Sequence, residues 1–176
     1  MERIKLRRLE HSDKTQMAKL ANNKKIWDNV RDAFGHPYSE QNAEDFIKQQ
    51  SKSHTEQVFA IVRNGELCGL IGLIFQKDVY RKSAEIGYWL GEAFWGQGIA
   101  TKAVESIVQY AFEDLKLIRI FAGAFEYNVG SMNVLEKNGF QKEGIARMAV
   151  FKNGKFWDEH RYALLAEEDA RRVSKL

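Results

Sequence analysis

Apolar positions along this chain follow two rhythms, and the changes between them mark out its elements. The strongest helical rhythm joins Ala100, Val104, Ile107, Val108, Ala111, Phe112 and Leu115 at spacings of three and four. It predicts one long helix that ends near Lys116 and buries a single face. Near the start, Ile4, Leu6 and Leu9 stand among Arg3, Lys5, Arg7 and Arg8, the pattern of a strand with one solvated face. Ser12 or Asp13 then caps a helix to about Ala21, with Met17, Ala18, Leu20 and Ala21 inside. Ser39 caps another to about Ser51, with Ala43, Phe46 and Ile47 inside. Residues 22–38, between these helices, hold Trp27, Phe34 and the sole proline, in Gly35-His36-Pro37-Tyr38. Pro37 fixes its own φ and pushes His36 towards an extended shape, so this is a stiff turn.

From Gln57 the rhythm shortens to that of strands. Residues 58–62 run into Asn64-Gly65, a two-residue hairpin signal, and return as 67–75, apolar on both faces like a covered central strand. A charged turn with Lys77, Asp78, Arg81 and Lys82 leads to a strand over 84–90, and 118–125 forms the next. Residues 128–138 read as a short helix stopped by Asn138-Gly139. Two last strands, 141–151 and 155–165, meet at Asn153-Gly154, and the charged tail from Glu167 is a frayed helical end. The predicted fold is α+β: a mixed, mostly antiparallel sheet of about seven strands with helices on both faces. No repeat, low-complexity tract or internal boundary interrupts it, so residues 1–176 read as a single domain.

Composition narrows the function by exclusion. With 44% hydrophobic and 29% charged residues the chain is an ordinary globular one. A formal charge of +3 is too small to argue for nucleic acid, though it allows a cationic cleft for an anionic ligand. No apolar run approaches a membrane span, and the first residues lack a signal-peptide core, so the expected compartment is the cytoplasm. Cys68 is the one cysteine, which rules out an intrachain disulfide or a cysteine metal cluster; no metal is expected. It reads as a buried strand residue.

The chemistry concentrates just before the long helix, in Trp95, Gly96, Gln97, Gly98, Ile99, Ala100 and Thr101. Two glycines let the backbone turn tightly and come close to a ligand. The helix start adds unpaired N–H groups and the positive end of a dipole, which together suit a phosphate or pyrophosphate. A dinucleotide fingerprint fails because its third glycine position is Thr101, and a P-loop fails for want of Gly-Lys before Ser or Thr.

This loop resembles the cofactor loop of the GNAT acetyltransferase superfamily, Gln/Arg-x-x-Gly-x-Gly/Ala. Gly98 and Ala100 fill its last two marked positions, while Trp95 replaces Gln or Arg at the first. The Phe-Trp-Gly-Gln-Gly-Ile-Ala-Thr stretch is similar to the RimJ/RimL-like branch, and so is the block from Asn128 to Phe140. The strand order agrees, so the resemblance covers roughly residues 1–165. It implies a GNAT-like fold and transfer of an acetyl group from acetyl-CoA to a primary amine. The acceptor is a protein N-terminus or a small amine, and nothing in the sequence chooses between them. The oligomeric state stays open, a homodimer being the assembly the resemblance suggests.

In the family the fourth and fifth strands splay and the thioester lies in the opening. By that resemblance the backbone of residues 97–101 would hold the pyrophosphate, and Tyr88, Trp89 and Leu90 would pair with the pantetheine arm. A backbone N–H near Leu90 would polarise the thioester carbonyl. Asn128, Ser131, Asn133 and Lys137 complete the expected cofactor contacts. The amine must lose a proton, and Glu85 is the first candidate base, with His36 second. Many members place a tyrosine seven residues after the asparagine to protonate the leaving thiolate; here that position is Leu135, and Ser131 is the alternative donor. Trp27, His36, Tyr38, Glu85 and Tyr88 form the expected acceptor side. The rival reading is a catalytically silent acyl-CoA-binding sensor on the same scaffold.

Overall fold

Two Asn-Gly turns and a run of capped helices organise the chain in this computed structural model, which describes residues 4–173. The expectations for Arg3 and for 174–176 lie outside the described residues. The elements are β1 (Ile4–Arg8), α1 (Lys14–Ala21), α2 (Lys24–Trp27), α3 (Glu40–Gln50), β2 (Glu56–Arg63) and β3 (Glu66–Phe75). Then follow β4 (Ser83–Leu90), α4 (Ile99–Glu113), β5 (Arg119–Phe125), α5 (Val129–Lys137), β6 (Gln141–Lys152), β7 (Lys155–Leu165) and α6 (Ala166–Val173). The strands form one seven-stranded sheet in the order β1-β2-β3-β4-β5-β7-β6. This is the mostly antiparallel α+β fold that the pattern predicts. β4 and β5 are parallel, with Ser83, Ala84 and Glu85 opposite Arg119, Ile120 and Phe121. Their connection contains α4, as a parallel crossover requires.

Contacts divide the chain into two compact units. One runs to Leu73 and includes Gly87–Ala103; the other comprises Ile74–Ile86 and everything from Val104. The cuts fall inside β3, β4 and α4, not at linkers. The first unit has a core of Met17, Ala18, Ala21, Tyr38, Ala43, Ile47, Ala60, Val62, Leu67 and Leu70. Every residue from Leu67 to Leu73 is buried, which bears out a central strand covered on both faces.

Three local expectations change. The carboxylate of Asp13 does not cap α1; it receives two bonds from Arg7 at 2.6 and 2.7 Å and one from the Glu10 N–H at 2.8 Å. Burial acts to raise its pKa, but these donors and the Arg7 charge outweigh that and hold it below the usual value. Residues 22–38 are more than a turn. Asn23 accepts the Lys25 N–H at 2.8 Å and starts α2, and Asp32–Phe34 adds a 3₁₀ turn. The inner stripe of α4 is also rotated. Ile99, Ala103, Val104, Ile107, Val108 and Ala111 are buried, whereas Ala100, Phe112 and Leu115 are half-buried. Among the described residues no helix is long and apolar enough to cross a membrane.

Candidate functional site

β4 delivers the chain to the glycine loop with its backbone pressed against β3. A Cβ built on Gly69 would lie 2.1 Å from the Trp89 carbonyl oxygen and 2.8 Å from Leu90 Cα, so only glycine lets the end of β4 come this close. Gly91 N–H donates to the Cys68 carbonyl at 2.8 Å, and a 3₁₀ turn over Glu92–Phe94 follows. The Trp95 indole N–H then reaches back to the Leu90 carbonyl at 2.8 Å, tying the loop to the strand. Trp95 thus staples the loop through its ring N–H.

Gly96 and Gly98 have φ of 72° and 74°, in the left-handed region that other L-residues pay to enter. Nothing lies within 4 Å of where either Cβ would be. These glycines are therefore required by the turn itself, and they leave open space beside the backbone. The first intrahelical bond of α4 runs from Lys102 N–H to the Gly98 carbonyl at 3.2 Å, so the N–H groups before it face out of the helix end. That arrangement fits an anion.

Side chains around the loop are already organised. Gln97 donates from Nε2 to the Ala93 carbonyl at 2.7 Å and accepts from Arg63 NH1. Arg63 also lies over the Phe94 ring, 5.5 Å from its centroid. Sequence reasoning missed Arg63, which lies more than thirty residues upstream in an unremarkable strand end. Glu92 is hydrogen-bonded by Lys25 and by Asn23 Nδ2, at 2.8 Å from the latter, and both hold its carboxyl below the usual range.

The aromatics expected on the acceptor side make two separate sets of ring contacts within the first unit. Trp27 meets His36 at 6.0 Å between centroids, Phe34 meets Tyr38 at 4.9 Å, and Phe34 meets the half-buried Trp89 edge-on at 5.6 Å. Tyr38 is only 7% exposed and belongs to the core, where burial pushes its pKa up to about 12. Its N–H donates to Asn22 Oδ1 at 3.0 Å. Cys68 is fully buried, and that burial raises its thiol pKa, as suits a packing residue.

Apart from Tyr88, the remaining expected residues belong to the second unit. Glu85 is half-buried on β4 opposite Phe121, while Tyr88, three residues further along the strand, falls in the first unit and is also half-buried. Asn128 caps α5, its Oδ1 accepting the Ser131 N–H at 3.1 Å. Ser131 is half-buried, and Asn133 and Lys137 are exposed. Leu135 is fully buried at 0% exposure, so the residue in the tyrosine's place serves the core. A tyrosine does reach α5 from elsewhere. Tyr162 of β7 donates to Glu136 Oε1 at 2.9 Å, and burial first, then Glu136, pushes its pKa up to about 12. No spacing in the sequence links residues 136 and 162; their contact is tertiary.

Comparison with known proteins adds to this geometry. The family profile described as "Acetyltransferase (GNAT) domain" matches residues 3–141. The "Probable N-acetyltransferase YjcK" of Bacillus subtilis (strain 168) is 48% identical over 103 residues, 57% of this chain and 56% of that protein. A ribosomal-protein-serine acetyltransferase of Escherichia coli (strain K12) is 33% identical over 112 residues, 63% and 62% of the two chains. The match spans little more than half the length of these curated relatives. A crystal structure of spermidine N-acetyltransferase from Vibrio cholerae, in complex with CoA and spermine, aligns with a TM-score of 0.82 and 26% identity over 95% of this chain and 98% of that one.

Proposed function

The chain belongs to the GNAT acetyltransferase family, and from that premise we propose that it moves an acetyl group from acetyl-CoA to a primary amine. The observation that carries this reading is the glycine loop, with two positive-φ glycines, open space at both Cβ positions and an outward-facing helix start. Bound acetyl-CoA would supply the activated acetyl group. Residues 97–101 would bind its pyrophosphate through backbone N–H groups. Tyr88, Trp89 and Leu90 would pair with the pantetheine arm along the backbone, with an N–H near Leu90 polarising the reacting carbonyl. Trp95 keeps that strand end and the loop in one rigid piece through the Leu90 carbonyl.

From the second unit we assign Glu85 the base role, removing the proton that the amine must lose. Asn128, Asn133 and Lys137 are assigned to the cofactor, and Ser131 to the leaving sulfur. Because Leu135 is wholly buried, a tyrosine acid at that position has no counterpart here. Trp27, His36 and Tyr38 are assigned to the acceptor side; the core position of Tyr38 makes it a wall of that side, with His36 and Trp27 towards the amine. The acceptor class is a protein N-terminus or a small amine. The names of two similar proteins, a ribosomal-protein-serine acetyltransferase and a spermidine N-acetyltransferase, offer a protein and a polyamine as the two directions to test.

Calorimetric titration with acetyl-CoA tests the reading, using wild type beside Gly98→Trp. The indole would fill the open space beside the loop, and the variant's melting temperature checks that it still folds at a positive-φ position. Micromolar-range binding by wild type, none by the folded variant, and thiol release with a peptide N-terminus or spermidine would support the enzyme. Binding without thiol release across a broad amine panel would favour a silent acyl-CoA sensor. No binding by wild type would remove the reading.

A further inference from the structure

The loop that is to hold a pyrophosphate carries no positive side chain of its own. From Gly91 to Thr101 the only charged residue is Glu92, which is negative and engaged by Lys25 and Asn23. Backbone N–H groups and the partial charge of one helix end offset an ordinary anion in part, but a pyrophosphate or phosphomonoester brings at least one full charge more. A cation from elsewhere in the fold is needed, and the first unit brings one to the loop. Arg63 closes β2 immediately before the Asn64-Gly65 turn, and its NH1 donates to the side chain of Gln97, the residue between the two positive-φ glycines. Its guanidinium lies 5.5 Å from the centroid of the Phe94 ring, one residue before Trp95. The ring restricts the plane of the guanidinium, and the Gln97 bond restricts its rotation. Held this way, the planar guanidinium presents a fixed positive charge in the fork geometry that matches phosphate oxygens.

We propose that Arg63 is the residue that pairs with a phosphate of coenzyme A at this loop, an inference that rests on the acetyl-CoA reading above. It supplies the charge that the loop lacks, from a strand that the loop's own sequence does not contain. Lys102, one turn into α4, is the competing cation.

The test is calorimetric titration of the full chain with CoA across a range of ionic strengths, for wild type, Arg63→Gln, Arg63→Lys and Lys102→Gln, with each melting temperature recorded. Arg63→Gln is expected to bind CoA roughly tenfold or more weakly, the size of a lost charge-assisted bond. The dependence of its Kd on salt should also be shallower, because one screened charge pair is gone. Arg63→Lys, which keeps the charge without the fork, should fall between them, and it decides the matter if the glutamine variant does not fold. Titration with 3′-dephospho-CoA separates the two sources: a loss that persists assigns Arg63 to the pyrophosphate, and a loss that vanishes assigns it to the 3′-phosphate. The proposal is overturned if Arg63→Gln binds like wild type or if the loss appears with Lys102→Gln instead. A weakened Kd with an unchanged salt slope also overturns it, since that marks a residue that merely steadies Gln97. Wild type that fails to bind CoA at all removes the acetyl-CoA reading itself, which is a different result from a silent Arg63 substitution.

Discussion

The two Asn-Gly hairpins are built alike at their tips and differ almost everywhere else. Asn64 and Gly65 have φ of 52° and 88°, and Asn153 and Gly154 have 53° and 74°, the doubly positive conformation that suits the twist of a tight hairpin. Behind the first turn, β3 is buried without interruption from Leu67 to Leu73. Behind the second, β6 is largely exposed, with Met148 at 65% and Phe151 at 60%. The reason is position in the sheet. β3 has β2 and β4 as neighbours, while β6 is the last strand and has only β7. Its register is broken twice, and Met148 takes φ of 51° with its N–H donating to Asp158 Oδ1 at 2.8 Å. Irregular pairing of this kind is common at a sheet edge, where it blunts an exposed row of unpaired groups. A turn is decided within a few residues; burial is decided by what lies alongside.

Substitutions can break this contrast in order of size. Gly69→Ala should be the most damaging, costing about 4 kcal/mol or more, because its Cβ would meet a backbone oxygen that cannot step aside. Loss of soluble protein, or a collapse of the denaturant midpoint, is the expected readout; a near-normal midpoint would mean that β4 does not lie so close. Leu73→Ala, at a fully buried position, should cost about 2–5 kcal/mol in urea unfolding. Gly65→Ala and Gly154→Ala should each cost roughly 1–2 kcal/mol, since the strain is that of one residue with positive φ. Equal losses would confirm that the two turns are locally equivalent, and a twofold difference would show that burial reaches into the tip. The smallest effect belongs to Phe156→Ser. Phe156 faces Phe151 across the strands at 4.9 Å between centroids but is 59% exposed, so about 0.5 kcal/mol is expected. A loss several times larger would indicate that this face is covered in solution.

Much of the fold was legible because its signals are short-range. Ser39 caps α3 by accepting the Asn42 N–H at 3.2 Å, and Gly139 ends α5 with φ of 84°, both as the sequence pattern predicts. The glycine loop was legible for the same reason, since positive φ at 96 and 98 is a demand the backbone makes locally. Asp13 was misread because its carboxylate had two local uses, and Arg7, six residues upstream on β1, favoured one of them. α2 was missed because four residues are too few to show a helical period. The stripe of α4 holds at Val104, Ile107, Val108 and Ala111, but its buried arc also takes in Ile99 and Ala103 and leaves Ala100, Phe112 and Leu115 at its margin. The packing of the helix against its neighbours sets where the arc is centred.

By itself the sequence determined the turns, most helix caps, the order of the elements and the conformation of the phosphate-loop candidate. Each depends on φ, ψ preferences and hydrogen bonds spanning at most a few residues. Only the tertiary structure decided that β4 runs parallel to β5, that Leu135 is sealed in the core and that Arg63 stands at Gln97. Those outcomes require segments far apart in the chain to meet, and no periodicity encodes which side chains then share a surface.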